Sequence, residues 1–290
     1  MQNNLPAMLS EKLPELSKGH KKIAEYILEH YDKAAFMTAS KLGGIVGVSE
    51  STVVRFATEL GFDGYPEMQR SLKEFTSNKL TTVQRMSVMN DHFAGEDVLG
   101  RVLNFDIEQI RKTLEEIDRE EFYTTVDALA KAQTIYVIGA RSASVLARFI
   151  VFYFNIMFDN VKLIHTTSTS EMFEQILNIG KDDIMIGVSF PRYSKHTVKA
   201  FRYAHDNGAK VIAITDSKAS PLAQYADHLL LAHSDMASFA DSIVAPMSLI
   251  NALISAVGMK KQEYVAGNFQ HLEEIWEKYE VFEKSDNQDH

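Results

Sequence analysis

The chain has 290 residues, 46% of them apolar, which is enough for about two domains with real cores. The formal net charge is −9 and there is no cysteine, which excludes disulfides and thiolate metal sites. The most apolar stretch, residues 145–158, contains Arg148 and Asn155, and the opening residues lack the charged and apolar regions of a secretory signal. The expectation is therefore a cytoplasmic protein with no membrane span.

The elements follow in chain order. Ser17 to Tyr31 predicts an amphipathic helix, with Ile23, Ala24, Ile27 and Tyr31 at helical spacing. Residues 38–60, TASKLGGIVGVSESTVVRFATEL, then predict two short helices around a tight turn. The Thr38 hydroxyl can cap the first helix, and Ala39, Leu42, Ile45 and Val46 form its apolar stripe. Gly47 supplies the turn, because glycine enters positive φ without a steric cost. Gly43 stands four residues earlier, where a side chain would hold the helices apart. Ser49 caps the second helix, and Val53, Val54, Phe56 and Leu60 form its buried side. That leaves Glu50, Ser51, Thr52 and Arg55 on or near the face that a recognition helix turns to the major groove. The same spacing also suits an ordinary helical hairpin.

Gly61 and Gly64 break the chain, and Pro66 opens a further helix lined by Met68, Leu72 and Phe75. Residues 1–77 thus predict an all-helical domain of about five helices. A polar linker is expected over Ser77–Asp97. Val98 to Ile117 resumes a helical pattern through Val102, Phe105, Ile110 and Leu114, to join the domains or a dimer interface. Charge divides along the same line. Residues 1–85 carry 11 Lys+Arg and 10 Asp+Glu, so nearly all the acidity lies beyond them. A nearly neutral DNA-binding domain would bind weakly as a monomer, and two copies on a two-fold operator would help.

From Thr134 short β-branched runs alternate with helical segments: 135–139, 161–164, 183–190, 211–215 and 228–232. Runs this short and apolar suit parallel strands covered on both faces, and five of them predict a doubly wound α/β domain. An apolar closing helix is expected over Ala240–Val257. One more helical stretch follows around Leu272, Ile275 and Trp276, before a polar, disordered end.

In such sheets ligands bind beyond the carboxyl ends of the strands, where strand order reverses. With an assumed order 2-1-3-4-5, that crevice lies between the first and third strands. The loops there are GARSAS, residues 139–144, and SFPRYS, residues 189–194. They offer the hydroxyls of Ser142, Ser144, Ser189 and Ser194, the guanidinium groups of Arg141 and Arg192, and two helix N-termini. These are the groups that a phosphate monoester needs. Serines at such places also serve simply as helix caps.

The run STVVRFATELGFDGYPEMQ, residues 51–69, resembles the DNA-binding domain of the RpiR family of bacterial transcription regulators. Its VVRF followed by LGF-x-GY-x-E carries the resemblance. That family joins an N-terminal helix-turn-helix domain to a C-terminal SIS (sugar isomerase) domain. The resemblance covers about residues 1–77 and 125–260. It implies an oligomer that binds double-stranded operator DNA and senses a phosphosugar or related metabolite. DNA contacts would fall on Ser49, Glu50, Ser51, Thr52 and Arg55. Effector contacts would fall on Arg141, Ser142, Ser144, Ser189, Arg192 and Ser194.

Against the frequent SIS patterns G-x-G-x-S and S-x-S-G-x-T there are departures. Arg141 stands at the second glycine of the first loop and Ala143 at its serine. Pro191 and Arg192 replace the second serine and the glycine of the second loop, while Ser189 and Ser194 match. No cofactor or metal is expected, since His228 and His233 have poor ligand spacing and no acidic partner at a motif distance. The alternative function is a sugar-phosphate isomerase. Its base would come from Glu171, Glu174, His165 or His196, none of which the sequence marks as one.

The reading is a cytoplasmic, non-enzymatic regulator of sugar or amino-sugar metabolism, assembled as a homodimer or homotetramer through its SIS domains. The apolar closing helix (Ile243, Val244, Met247, Leu249, Ile250, Leu253 and Ile254) is the expected interface. The expected parts are residues 1–77 for DNA, 78–124 for the linker and connecting helix, 125–265 for sensing, and 266–290 for a helix and polar tail.

Overall fold

The structure, a computed structural model, describes residues 5–79, 86, 97–165, 168–235 and 240–282. The expected linker over Ser77–Asp97 lies mostly outside them, as does the polar end beyond residue 282. The chain divides into two compact units, residues 1–105 with 235–241, and residues 106–234 with 242–290.

The first unit is helical. Helices α1 (Leu5–Lys12), α2 (Lys18–Glu29), α3 (Tyr31–Ala34), α4 (Ala39–Val46), α5 (Glu50–Glu59) and α6 (Tyr65–Lys79) surround a core that includes Leu5, Ile23, Ile27, Leu42, Phe56 and Leu72. Among the described residues there are thus six α-helices where about five were expected, and His30 at φ −133° separates α2 from α3 in the stretch read as continuous to Tyr31. The Tyr65 hydroxyl donates to the Met37 carbonyl at 2.7 Å and Gln69 Nε2 donates to the same oxygen at 2.6 Å, tying α6 to the loop before α4. Burial pushes the Tyr65 phenol up to about 12, so it stays a donor across the working pH range.

The next elements are α7 (Val98–Glu116) and α8 (Arg119–Leu129), the latter capped by Asp118. Strands β1 (Ile135–Gly139), β2 (Val161–Ile164), β3 (Ile184–Val188), β4 (Lys210–Thr215) and β5 (His228–Leu231) then alternate with α9 (Ala143–Met157), α10 (Thr169–Gln175) and α11 (Lys195–Asp206). The chain closes with α12 (Val244–Lys260) and α13 (Gln262–Lys278). The last helix thus begins before residue 266, where the helix and polar tail were expected to start.

All strand pairs are parallel, in the order β2-β1-β3-β4-β5. Side chains alternate between faces. Ile135, Val137, Ile186 and Ile212 pack with Phe154, Ile150 and Leu253 from α9 and α12, whereas Tyr136, Ile138, Met185 and Val211 pack with Met172 and Phe201 from α10 and α11. The result is the α/β doubly wound sheet, a three-layer arrangement. Burying each of these large side chains contributes about 1.5–3 kcal/mol. The two outer strands are less covered. Lys162 on β2 is exposed, with its ammonium 4.9 Å from the Tyr136 ring centroid, a charge that discourages edge pairing.

Leu249, Ile250, Leu253 and Ile254 of the closing helix are buried in this same core. Those four are occupied within their own domain, while Ile243 and Met247 of the expected interface are partly buried and Val244 is exposed. The two histidines have acidic partners only at long range in the sequence. His228 Nδ1 lies 3.0 Å from Glu121 Oε1, and His233 Nε2 lies 2.9 Å from Glu116 Oε2. Both have carboxylate partners, from helices more than 100 residues earlier, and these pairs tie α7 and α8 to the β5 end of the sheet. Among the described residues no group of three or more His, Cys, Asp or Glu side chains is arranged to hold a metal ion. Nor, among them, is any helix long and apolar enough to cross a membrane.

Candidate DNA-reading helix and effector crevice

The tight turn between α4 and α5 has the expected chemistry. The Thr38 hydroxyl accepts from Lys41 N at 3.2 Å, and the Ser49 hydroxyl accepts from Thr52 N at 3.3 Å. Gly47 sits at φ +73° and donates its N–H to the Gly43 carbonyl. A Cβ on Gly43 would lie 2.8 Å from the Val48 carbonyl oxygen, so a side chain there would part the helices.

On α5 the residues Ser49, Glu50, Ser51 and Arg55 are exposed, and Thr52 is half-buried. They form one connected surface. The Ser49 hydroxyl lies 2.9 Å from that of Ser51 and 2.8 Å from that of Thr52, and Arg55 Nε donates to the Ser51 carbonyl at 3.3 Å. That last bond holds the guanidinium along the helix, facing outward.

Two apolar side chains expected inside are outside: Ile45 is 49% and Val54 39% exposed. Their neighbours explain this. Val53, Phe56, Ala57 and Leu60 already fill the i, i+3, i+4, i+7 stripe of the buried side, and Ala39, Leu42, Gly43 and Val46 do the same on α4. Val54 and Ile45 each fall about 100° from those stripes. Val54 therefore stands beside Ser51 and Arg55, where an apolar group can meet a thymine methyl. Counting the stripe strictly would have found it.

In the second unit, the observed strand order puts the β1/β3 crevice where it was assumed, with both loops at the carboxyl ends of their strands. After β1, Gly139 allows α9 to begin close over the strand end, since a Cβ there would lie 2.5 Å from the Ala143 carbonyl oxygen. The Ser144 hydroxyl donates to the Arg141 carbonyl at 2.6 Å, closing the loop. Ser142 is exposed and makes no capping bond. After β3, Ser189 is 4% exposed, and its carbonyl accepts from the Thr215 hydroxyl at 2.7 Å. Ser194 caps α11, accepting from Thr197 N at 3.4 Å. Tyr193 donates to Asp216 at 2.9 Å, anchoring the second loop to the end of β4.

Arg141 and Arg192 share an unusual backbone. They lie at φ +58° and +65°, in the left-handed region. Both stand where the frequent SIS patterns have glycine, so this chain keeps the glycine conformation while adding two guanidinium groups. Each such residue costs on the order of 1–3 kcal/mol, a strain that clusters at functional sites.

The isomerase candidates are tied into local structure. Glu174 Oε1 accepts from the Ser170 hydroxyl at 3.0 Å, and the Glu171 backbone N–H donates to the Ser168 hydroxyl at 3.2 Å. His196 Nε2 lies 3.2 Å from the Thr169 hydroxyl, and the backbone of His165 is held by Gln175. One residue escaped sequence reasoning: Arg148, which stood out only as a break in an apolar run. It is four residues after Ser144, on the same face of α9.

The comparisons with known proteins agree with this architecture. The helix-turn-helix domain of the rpiR family matches residues 3–79, and the SIS domain matches residues 128–256. An uncharacterized HTH-type transcriptional regulator of Caldanaerobacter subterraneus is 25% identical over 277 residues, 93% of this chain and 95% of that protein. HexR, an HTH-type transcriptional regulator of Pseudomonas aeruginosa, is 27% identical over 224 residues, 76% of each chain. Among solved structures, the sugar isomerase domain of an RpiR transcription factor from Sphaerobacter thermophilus is similar, with TM-score 0.59 and 26% identity. That match covers 62% of this chain and 99% of that one. The fold is shared along most of its length with Vibrio vulnificus NanR complexed with ManNAc-6P, with TM-score 0.59 and 21% identity over 95% of this chain and 99% of that one. The relatives are named as regulators, so the isomerase alternative gives way. With an rpiR-type helix-turn-helix domain followed by a SIS domain, the chain belongs to the RpiR family of HTH-type transcriptional regulators.

Proposed function

We propose that this regulator binds double-stranded operator DNA through α5 and is switched by a phosphorylated sugar held between the loops 139–144 and 189–194. The carrying observation is the pair of left-handed arginines, one in each loop of the crevice. Arg141, Ser142, Ser144, Ser189, Arg192 and Ser194 are its proposed contacts, and the bound ManNAc-6P of NanR supports the ligand class. The working division is residues 1–77 for DNA, 78–124 connecting, 125–265 for sensing and 266–290 as the tail, in a cytoplasmic protein without a cofactor. The ligand must bind the DNA-competent and incompetent states unequally, and couplings of about 1–3 kcal/mol are typical.

On the DNA side, Ser49, Glu50, Ser51, Thr52 and Arg55 are the proposed contacts. Arg55→Ala is expected to weaken operator binding by about 1–3 kcal/mol, read by gel shift on the protein's own upstream DNA with and without sugar phosphates. A folded Arg55→Ala protein with unchanged affinity removes Arg55 from the interface, and a shift that no sugar phosphate alters removes the switch.

The same reading needs a homodimer or homotetramer, because a nearly neutral DNA domain gains affinity from a second half-site. The face that supports it is on α9, where Val145 is 52% and Phe152 66% exposed with half-buried Phe149 between them. The occupant is a second copy of this chain, packed as an isologous pair. Light scattering at micromolar concentration is expected to show at least a dimer, and a monomer would end the idea.

A further inference from the structure

Beside the β1/β3 crevice, the carboxyl ends of β1 and β2 border a second hollow of about 230 Å³, lined by Arg141, Ser144, Arg148, Leu163 and His165 among others. Its wall is cationic, within a part of the chain where acidic residues are in excess. Helical spacing puts Ser144 and Arg148 on one face of α9. The left-handed backbone of Arg141 brings a second guanidinium to the same place. His165 is held from behind. Its N–H donates to Gln175 Oε1 at 2.9 Å and its carbonyl accepts from Gln175 Nε2 at 3.2 Å. Neither the Arg141 nor the Arg148 guanidinium has a hydrogen-bond or ion-pair partner among the described residues. Two guanidinium groups around one hollow with no carboxylate between them repel each other, and an incoming anion removes that repulsion while accepting bidentate hydrogen bonds.

We infer that this hollow is an anion subsite continuous with the effector crevice. The effector is then a sugar phosphate carrying a second anionic group, a carboxylate or another phosphate, toward its far end. The inference rests on the phosphosugar reading of the crevice. Adjacent crevices of a sheet are about one strand spacing apart, ~5 Å, a span that a five- or six-carbon chain covers. The phosphate would sit at Ser189, Arg192 and Ser194, and the second anion at Arg141, Arg148 and His165.

Titration calorimetry on the full chain tests this with matched compounds: glucose 6-phosphate, 6-phosphogluconate and fructose 1,6-bisphosphate, and the corresponding pentose series. At least one doubly anionic member is expected to bind about tenfold or more tightly than its singly phosphorylated partner. Arg148→Ala should bring that ratio close to one while leaving the singly phosphorylated sugar unaffected, and Arg148→Lys should retain part of the ratio. Arg148 is exposed, so both variants should fold, which thermal unfolding checks. The carboxylate and bisphosphate arms tell which second anion is accepted. A ratio near one in the parent protein, or one that Arg148→Ala leaves intact, overturns the inference and spares the phosphosugar reading. Binding by no compound of either kind overturns both.

Discussion

Replacing Phe56 by alanine is expected to cost about 3–5 kcal/mol, the usual range for a fully buried phenylalanine. Phe56 is 0% exposed and belongs to the core of the helical unit. Its ring also packs 5.4 Å from that of His20, which pairs with Glu59 at 2.8 Å. Removing the ring therefore loosens the contact between α2 and α5 as well as leaving a cavity. A domain of this size is stabilised by roughly 5–15 kcal/mol in all, so the loss is a large fraction. The unfolding midpoint of the helical unit should fall by more than about 10 °C, and operator binding should fail at temperatures where the parent binds. A midpoint within a degree or two of the parent would mean that the core is not organised around this ring.

The second large effect is expected at Gly139. A methyl group there would lie 2.5 Å from the Ala143 carbonyl oxygen and 3.1 Å from the Ala147 Cβ. Both neighbours belong to α9, whose first turn packs over the end of β1, so the helix start must shift. Gly139→Ala should destabilise the α/β unit by about 1–3 kcal/mol, as overpacking does. It should also displace Arg141 and Ser144, so that sugar phosphates stabilise the variant less than they stabilise the parent protein. Gly180, where a Cβ meets nothing within 4 Å, is the control: Gly180→Ala should change neither midpoint nor ligand response. Thermal unfolding with and without ligand measures both effects, and equal behaviour of the two variants would remove the proposed role of Gly139.

Much of this molecule is written locally. The caps at Thr38 and Ser49, the left-handed turn at Gly47 and the five β-branched runs each depend on a few consecutive residues, so sequence alone determined the helix-turn-helix and the parallel α/β sheet. Both loops of the crevice were legible for the same reason, since serines and arginines after a strand mark themselves. Tertiary structure decided what spacing leaves open. Helical period defines a stripe but not how wide a sector its neighbours cover, so Ile45 and Val54 were assigned to cores that had no room for them. The closing helix was apolar enough for an interface, and only its packing in the α/β core showed that Leu249, Ile250, Leu253 and Ile254 are already buried there. His228 with Glu121 and His233 with Glu116 are pairs separated by 107 and 117 residues, a distance over which no local pattern operates. Arg148 lay in view at four residues from Ser144, yet the hollow that gives it meaning exists only because β2 lies beside β1 and brings His165 to the same edge.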